Sequence, residues 1–139
     1  MLRCIELARQ AKHEGNTPVG SVVAFEGQMI GEGREQLPRG LTLTGHAEAL
    51  ACQKAAERMG SRLLRQATLY STAEPCLMCS YIIRQAEMAK VVYAIQTPFI
   101  GGATSEFPVL TDDKLNGWKP AVVAIGNVMA EEVMKLGRN

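Results

Sequence analysis

The sequence predicts an α/β fold, a three-layer α/β/α sandwich on a five-stranded mixed sheet. Three observations predict it. Helix-forming stretches alternate with short apolar runs along most of the chain. Two early runs are separated only by Glu26-Gly27, the signal of a hairpin and antiparallel pairing. Later runs are connected through helix-like segments, which favours parallel crossovers. With 139 residues, 47% of them hydrophobic and 21% charged, the chain fits one domain over 1–139 with a sizeable core.

Taken in order, Leu2 to Glu14 places Leu2, Ile5, Leu7, Ala8 and Ala11 among charges, a helical period ended by Gly15-Asn16. After Thr17-Pro18 come two strands, Val19 to Phe25 and Gln28 to Gly33. Residues 34–45 carry Pro38, Gly40 and Gly45 without a clean period and are read as a loop. An alanine-rich helix runs from His46 to Met59 and stops at Gly60. Ala67 to Thr72 forms a third strand, and Cys76 to Glu87 a third helix opened by Pro75, whose missing N–H costs nothing at a first turn. Lys90 to Ile95 is a fourth strand with an apolar run suited to burial on both faces. A Gly/Pro-bearing segment from Thr97 to Lys119 leads to a fifth strand, Ala121 to Ile125, and Asn127 is placed to cap a last helix through Leu136.

The 15 Lys and Arg against 14 Asp and Glu give a net charge of +1, which argues against a nucleic-acid binder held by bulk charge. Arg3, Arg9, Lys12, Arg34 and Arg39 are candidates for a basic rim, but Glu6, Glu14, Glu32 and Glu35 interrupt them, and a mixed solvated surface is the favoured reading. No apolar run is long enough to span a bilayer, and the charged N-terminus does not fit a secretory signal, so the reading is cytosolic. In a reducing compartment the close pair Cys76 and Cys79 reads as metal-binding or catalytic, while Cys4 and Cys52 read as small buried hydrophobes.

Two helix starts carry metal-ligand chemistry, His46-Ala47-Glu48 and Pro75-Cys76-Leu77-Met78-Cys79. Cysteines three apart in a first turn share a face and can bite one ion. A helix N-terminus favours their thiolate forms. Adding His46 makes a Cys₂His set with a fourth tetrahedral position left for water, and a zinc ion there lowers the pKa of that water enough to make hydroxide available. Glu48, a carboxylate beside the metal but not a ligand, can move protons from the water to a ring nitrogen and to a leaving amine. A structural zinc site is the plainer alternative for the cysteines, yet such sites close with a fourth Cys or His, and His13 belongs to the solvated face of the first helix.

H-x-E followed by P-C-x-x-C is the signature of zinc nucleobase deaminases. The sequence resembles the cytidine deaminase-like superfamily, in the branch of bacterial tRNA adenosine deaminases, guanine deaminases and fungal-type cytosine deaminases. The similarity runs from Thr17-Pro18-Val19-Gly20 through Gly31-Glu32-Gly33 to the last helix and is most specific at His46-Ala47-Glu48 and Glu74-Pro75-Cys76-Leu77-Met78-Cys79. It implies His46, Cys76 and Cys79 as ligands of one zinc ion per chain, Glu48 as proton shuttle, and backbone around Ala47 and from Ala73 through Glu74 to Pro75 against the reacting edge of the base. It also implies a homodimer or larger assembly.

Relatives usually carry an asparagine where ungapped counting places Glu35, and Asp-Pro-Thr-Ala where this chain has Thr42-Leu43-Thr44-Gly45. An asparagine both donates and accepts, whereas an ionised glutamate only accepts. Glu35 therefore fits a ligand rich in N–H groups, such as guanine, isocytosine or an aminotriazine, if it faces the pocket; a solvated loop charge is the equal alternative. Among Phe99, Phe107 and Trp118, Phe99 is the candidate cover for a bound base.

The expected function is zinc-dependent hydrolytic deamination of a small nucleobase, nucleoside or aminotriazine-like heterocycle, with release of ammonia. The alternative is conversion of adenosine to inosine in tRNA by the same chemistry, and a second alternative is a non-catalytic zinc or nucleotide-binding domain.

Overall fold

A computed structural model of the chain describes residues 1–36 and 43–137. Helix α1 (Leu2–His13) is followed by β1 (Gly20–Phe25), β2 (Gln28–Arg34), α2 (Ala47–Met59), β3 (Thr68–Ala73), α3 (Leu77–Gln85), β4 (Lys90–Ile95), β5 (Val123–Ile125) and α4 (Ala130–Met134). The five strands form one sheet in the order β2-β1-β3-β4-β5. β1 pairs antiparallel with β2 and β3, while β3–β4 and β4–β5 are parallel. This is the expected mixed sheet.

Alternation along β1 divides the layers. Val22 packs with Cys4 and Leu7 of α1, and Val23 joins the larger core formed with Ala51, Cys52 and Ala55 of α2 and Ile83 of α3. Ala94 meets Ile5, Ala8 and Val133, which puts α1 and α4 on one face and α2 and α3 on the other.

The hairpin turn has positive φ at both Glu26 (49°) and Gly27 (76°), the twist that suits a two-residue connection. A bulge follows, since Val23 faces Gly31 while Ala24 faces Met29. Helix α2 lies directly on β2 because Gly31 and Gly33 lack side chains. A Cβ there would stand 2.4 Å from the Ala51 carbonyl oxygen and 2.5 Å from that of Ala47, so any larger residue would lift the start of α2 off the sheet.

Several boundaries differ from expectation for local reasons. His46 and Cys76 are helix N-caps with extended backbone rather than first helical residues, and Pro75 therefore precedes the cap. Ser61–Gln66 forms a 3₁₀ turn that the sequence reading did not separate. Asn127 does not cap the last helix: it adopts φ 64°, and α4 starts only after Met129, itself at φ 56°. That double left-handed step delays the helix expected after Asn127 to Ala130, and it ends at Met134 rather than Leu136. The expected loop 34–45 lies in part outside the described residues, with Pro38, Arg39, Gly40 and Thr42. No described helix is long and apolar enough to cross a membrane.

Candidate zinc and active site

The parallel β3–α3–β4 unit and the antiparallel β1–β3 pair bring the N-termini of α2 and α3 to the same edge of the sheet. His46 caps α2 and Cys76 caps α3, so both project from helix ends where anionic groups are stabilised. The donor atoms of His46, Cys76 and Cys79 all lie within 4.8 Å of one another. His46 Nδ1 stands 3.6 Å from Cys76 Sγ. Zinc bonds of about 2.3 Å to sulfur and 2.0–2.1 Å to nitrogen place neighbouring tetrahedral donors ~3.6–3.8 Å apart, so the cluster fits zinc in size and in donor chemistry.

Glu48 is buried on the next turn position of α2. Its Oε1 accepts from Ser71 Oγ at 3.4 Å, and its Oε2 lies 3.7 Å from Cys79 Sγ. Burial pushes its carboxyl up to about 7, close to where a proton shuttle serves best at neutral pH. The Cys76 thiol is drawn down to about 4, first by the hydrogen bond from the Cys79 thiol and then by His46. Cys79 moves in the opposite direction because it keeps the proton that the pair shares. His46 rises to about 9 beside the Cys76 sulfur. A thiolate facing an imidazolium is the charge pattern a divalent cation would replace.

A cavity of about 400 Å³ opens over these groups, with His46, Glu48 and Cys76 in its lining, a size suited to a base or nucleoside. A larger groove of about 680 Å³ along α2 and α3 contains none of the three donor residues.

Glu35 is only 5% exposed and faces the cavity, where the Ala47 N–H reaches its carboxylate. Burial raises its pKa. Ala47 itself is buried behind the lining. Pro75 is also buried, and its carbonyl accepts from Gly102 N–H at 2.8 Å. The Glu74 side chain is taken up by the segment after β4, where its carboxylate accepts from Thr97, Ala103 and Thr104. Phe99 is 90% exposed, turned outward by φ 68° between Pro98 and Ile100, which do line the cavity. The sequence reading missed Ser71, Thr72 and Thr97. Nothing in their local pattern sets them apart from ordinary strand and loop residues.

Of the candidate basic rim, Arg3 and Arg34 are paired with carboxylates, in keeping with a mixed surface. Arg3 pairs with Glu32 and Glu6, and Arg34 with Glu14, while Lys12 donates to the Leu136 carbonyl.

Residues 1–95 match the family model for the cytidine and deoxycytidylate deaminase zinc-binding region. The chain belongs to this family. It is 34% identical over 109 residues to a tRNA-specific adenosine deaminase of Aquifex aeolicus, covering 78% of this chain and 72% of that protein. A solved structure from work on A-to-I editing by tRNA deaminases at the wobble position of transfer RNA superposes with a TM-score of 0.83 at 27% identity, covering 96% of this chain and 94% of that one. The guanine deaminase of Bacillus subtilis gives a TM-score of 0.63 at 33% identity, over 68% of this chain and 61% of that one. The chain is thus a member of a zinc-dependent deaminase family, and His46, Cys76 and Cys79 can hold the metal.

The four cysteines are unpaired and differ sharply in chemistry. Burial pushes Cys4 up to about 11 and Cys52 up to about 12. In the metal-stripped chain at neutral pH, iodoacetamide is expected to modify Cys76 first and to spare Cys4 and Cys52. Zinc loading should abolish the reaction. Peptide mapping by mass spectrometry checks this, and equal labelling of Cys52, or no protection by zinc, would contradict the site geometry.

Proposed function

We propose that this chain deaminates adenosine in a tRNA loop to inosine, working as one deaminase domain over residues 1–139. The observation that carries the reading is the likeness to tRNA deaminases, in sequence across 78% of the chain and in fold across 96%. It puts tRNA ahead of the free heterocycle that the sequence alone favoured. The target base would be flipped out of its stack into the 400 Å³ cavity.

His46, Cys76 and Cys79 would hold zinc, which when bound supplies the Lewis acidity that makes water a nucleophile at neutral pH. Glu48 takes one proton from the attacking water and gives it to the ring nitrogen, then takes the remaining proton of the added hydroxyl and gives it to the departing amine, which leaves as ammonia. Ser71 keeps the Glu48 carboxyl aimed into the cavity. With Arg3 and Arg34 already paired to carboxylates, base recognition rests on the pocket. The free thiols suit a reducing cytosol, and the family resemblance favours a homodimer.

The test is to incubate zinc-loaded protein with unmodified tRNA and to measure inosine after nuclease digestion, beside ammonia release from adenine, adenosine, cytosine, cytidine, guanine, guanosine, isocytosine and aminotriazines. Inosine formation supports the proposal. Ammonia from a free base without inosine in tRNA overturns it.

One observation favours a second reading, deamination of a small base carrying ring and amino N–H groups. Glu35 presents a buried carboxylate to the cavity, where relatives usually offer an asparagine. An ionised carboxylate rewards N–H donors and leaves an acceptor-rich edge unpaired. Under this reading Glu35→Gln should lower kcat/KM for such a base by roughly 10- to 100-fold, the worth of a hydrogen bond to a charged group. A substrate profile unchanged by Glu35→Gln would remove it.

A further inference from the structure

The Glu74 carboxylate is the hub of the segment that follows β4. Its Oε1 accepts from the Thr97 N–H at 3.1 Å and the Thr104 hydroxyl at 2.7 Å. Its Oε2 accepts from the N–H groups of Ala103 at 2.8 Å and Thr104 at 2.7 Å. The Glu74 carbonyl takes a further bond from the Thr97 hydroxyl at 2.6 Å. The residue is 1% exposed, so these donors replace its water.

The segment closes around the carboxylate. At Gly101 a Cβ would lie 2.4 Å from the carboxylate, and Gly101 also bridges to Cys76. The Gly102 N–H donates to the Pro75 carbonyl. Between these anchors, Thr97, Pro98 and Ile100 form one wall of the cavity above His46 and Cys76. The chain leaves β4 with no regular partner over 97–104, and the buried carboxylate supplies the acceptors that a strand or helix would otherwise provide.

We propose that Glu74 is a positioning residue: its carboxylate, engaged in this cage, does not reach the substrate but fixes the 97–104 segment, so that Thr97, Pro98 and Ile100 hold the bound ring over the metal ligands. This rests on the proposed function only in requiring a heterocycle in the cavity. Its amide-exchange consequence is independent of any substrate.

Glu74→Gln is the informative substitution because it keeps size and one oxygen. Its NH₂ must face N–H donors, either Thr97 N–H or the Ala103 and Thr104 pair, so one side of the cage fails. In the zinc-loaded full chain, the amides of Thr97, Ala103 and Thr104 are expected to exchange at least tenfold faster, while those of α2 and β3 keep their protection. KM should rise about tenfold with kcat within threefold and zinc still at one per chain, because the wall affects holding more than chemistry. Thr104→Val, which removes a single hydroxyl donor, should move both readouts the same way by a smaller factor.

Unchanged exchange in Glu74→Gln, or a fall in kcat at constant KM, would overturn the proposal. If the parent chain turns over no substrate at all, the proposed function fails, and the exchange rates at Thr97, Ala103 and Thr104 alone decide the role of Glu74.

Discussion

Glu48→Ala is expected to lower turnover by about 10²- to 10⁴-fold, the range that a positioned general acid–base group contributes. Zinc content should stay at one per chain, because the donors come from His46, Cys76 and Cys79. The thermal transition should not fall, since the residue is a buried acid whose charge is disfavoured by its surroundings and alanine is a better helix former. Loss of rate with retention of metal and stability separates proton transfer from scaffold damage. Glu48→Gln refines the test: it can still accept from Ser71 but cannot carry a proton, so it should be as slow as alanine. A Gln variant with a tenth or more of the parent rate would reduce Glu48 to an orienting role. A fully active Ala variant would place the shuttle elsewhere and remove the chemical case for deamination by this site.

The parts of the molecule legible in the sequence were those specified by local pattern. Strand β4 coincides with its apolar run, Lys90–Ile95, because a strand buried on both faces has no polar positions to blur its limits. The two-residue Glu26-Gly27 turn likewise announces its hairpin. His46, Glu48, Cys76 and Cys79 could be singled out because their spacing reflects ligand geometry within single helical turns. What stayed hidden depends on contacts distant in sequence. Glu35 reads equally well as a solvated loop charge, and only its contacts with Val19 and Ala47, distant in sequence, show it buried at the cavity. Glu74 lines the cavity as the resemblance implied for its backbone, but residues 23 to 30 positions further on claim its side chain. Phe99 looked like a cover for the base because aromatic residues often are; its positive φ, set by the closed 97–104 segment, aims it at solvent instead.

Arg84 carries the largest stability prediction, and no sequence pattern marks it, since an arginine in the last turn of a helix is ordinarily a solvated cation facing the dipole. Here it is fully buried. Its Nε and Nη2 both donate to the Lys119 carbonyl, at 3.0 and 2.8 Å, and Nη2 also reaches Asn116 Oδ1 at 3.1 Å. Nη1 donates to the carbonyls of Val109 and Leu110 at 2.9 and 3.5 Å. All these acceptors are uncharged, so the guanidinium is held by oriented dipoles and by the C-terminal end of α3 rather than by an ion pair. The same Asn116 oxygen accepts from the Ala121 N–H just before β5, and Leu110, at the centre of this web, is 0% exposed. Arg84 thus ties 109–121 to α3 as Glu74 ties 97–104 to the turn before it. Arg84→Met keeps the bulk and removes every donor, so the partly buried Val109 and Lys119 carbonyls lose the bonds described while Leu110 and Asn116 keep those from Val122 and Ala121, at a cost of about 2–4 kcal/mol and a Tm lower by roughly 6–15 °C. Arg84→Lys should fall between, because one ammonium cannot reach acceptors spread around a planar fork. If Arg84→Met melts within about 2 °C of the parent, the segment is held by its apolar contacts and the hydrogen-bond web is incidental. If it melts early but keeps zinc and KM, the web stabilises the fold without shaping the pocket, which is the outcome expected because neither Arg84 nor its acceptors line the cavity.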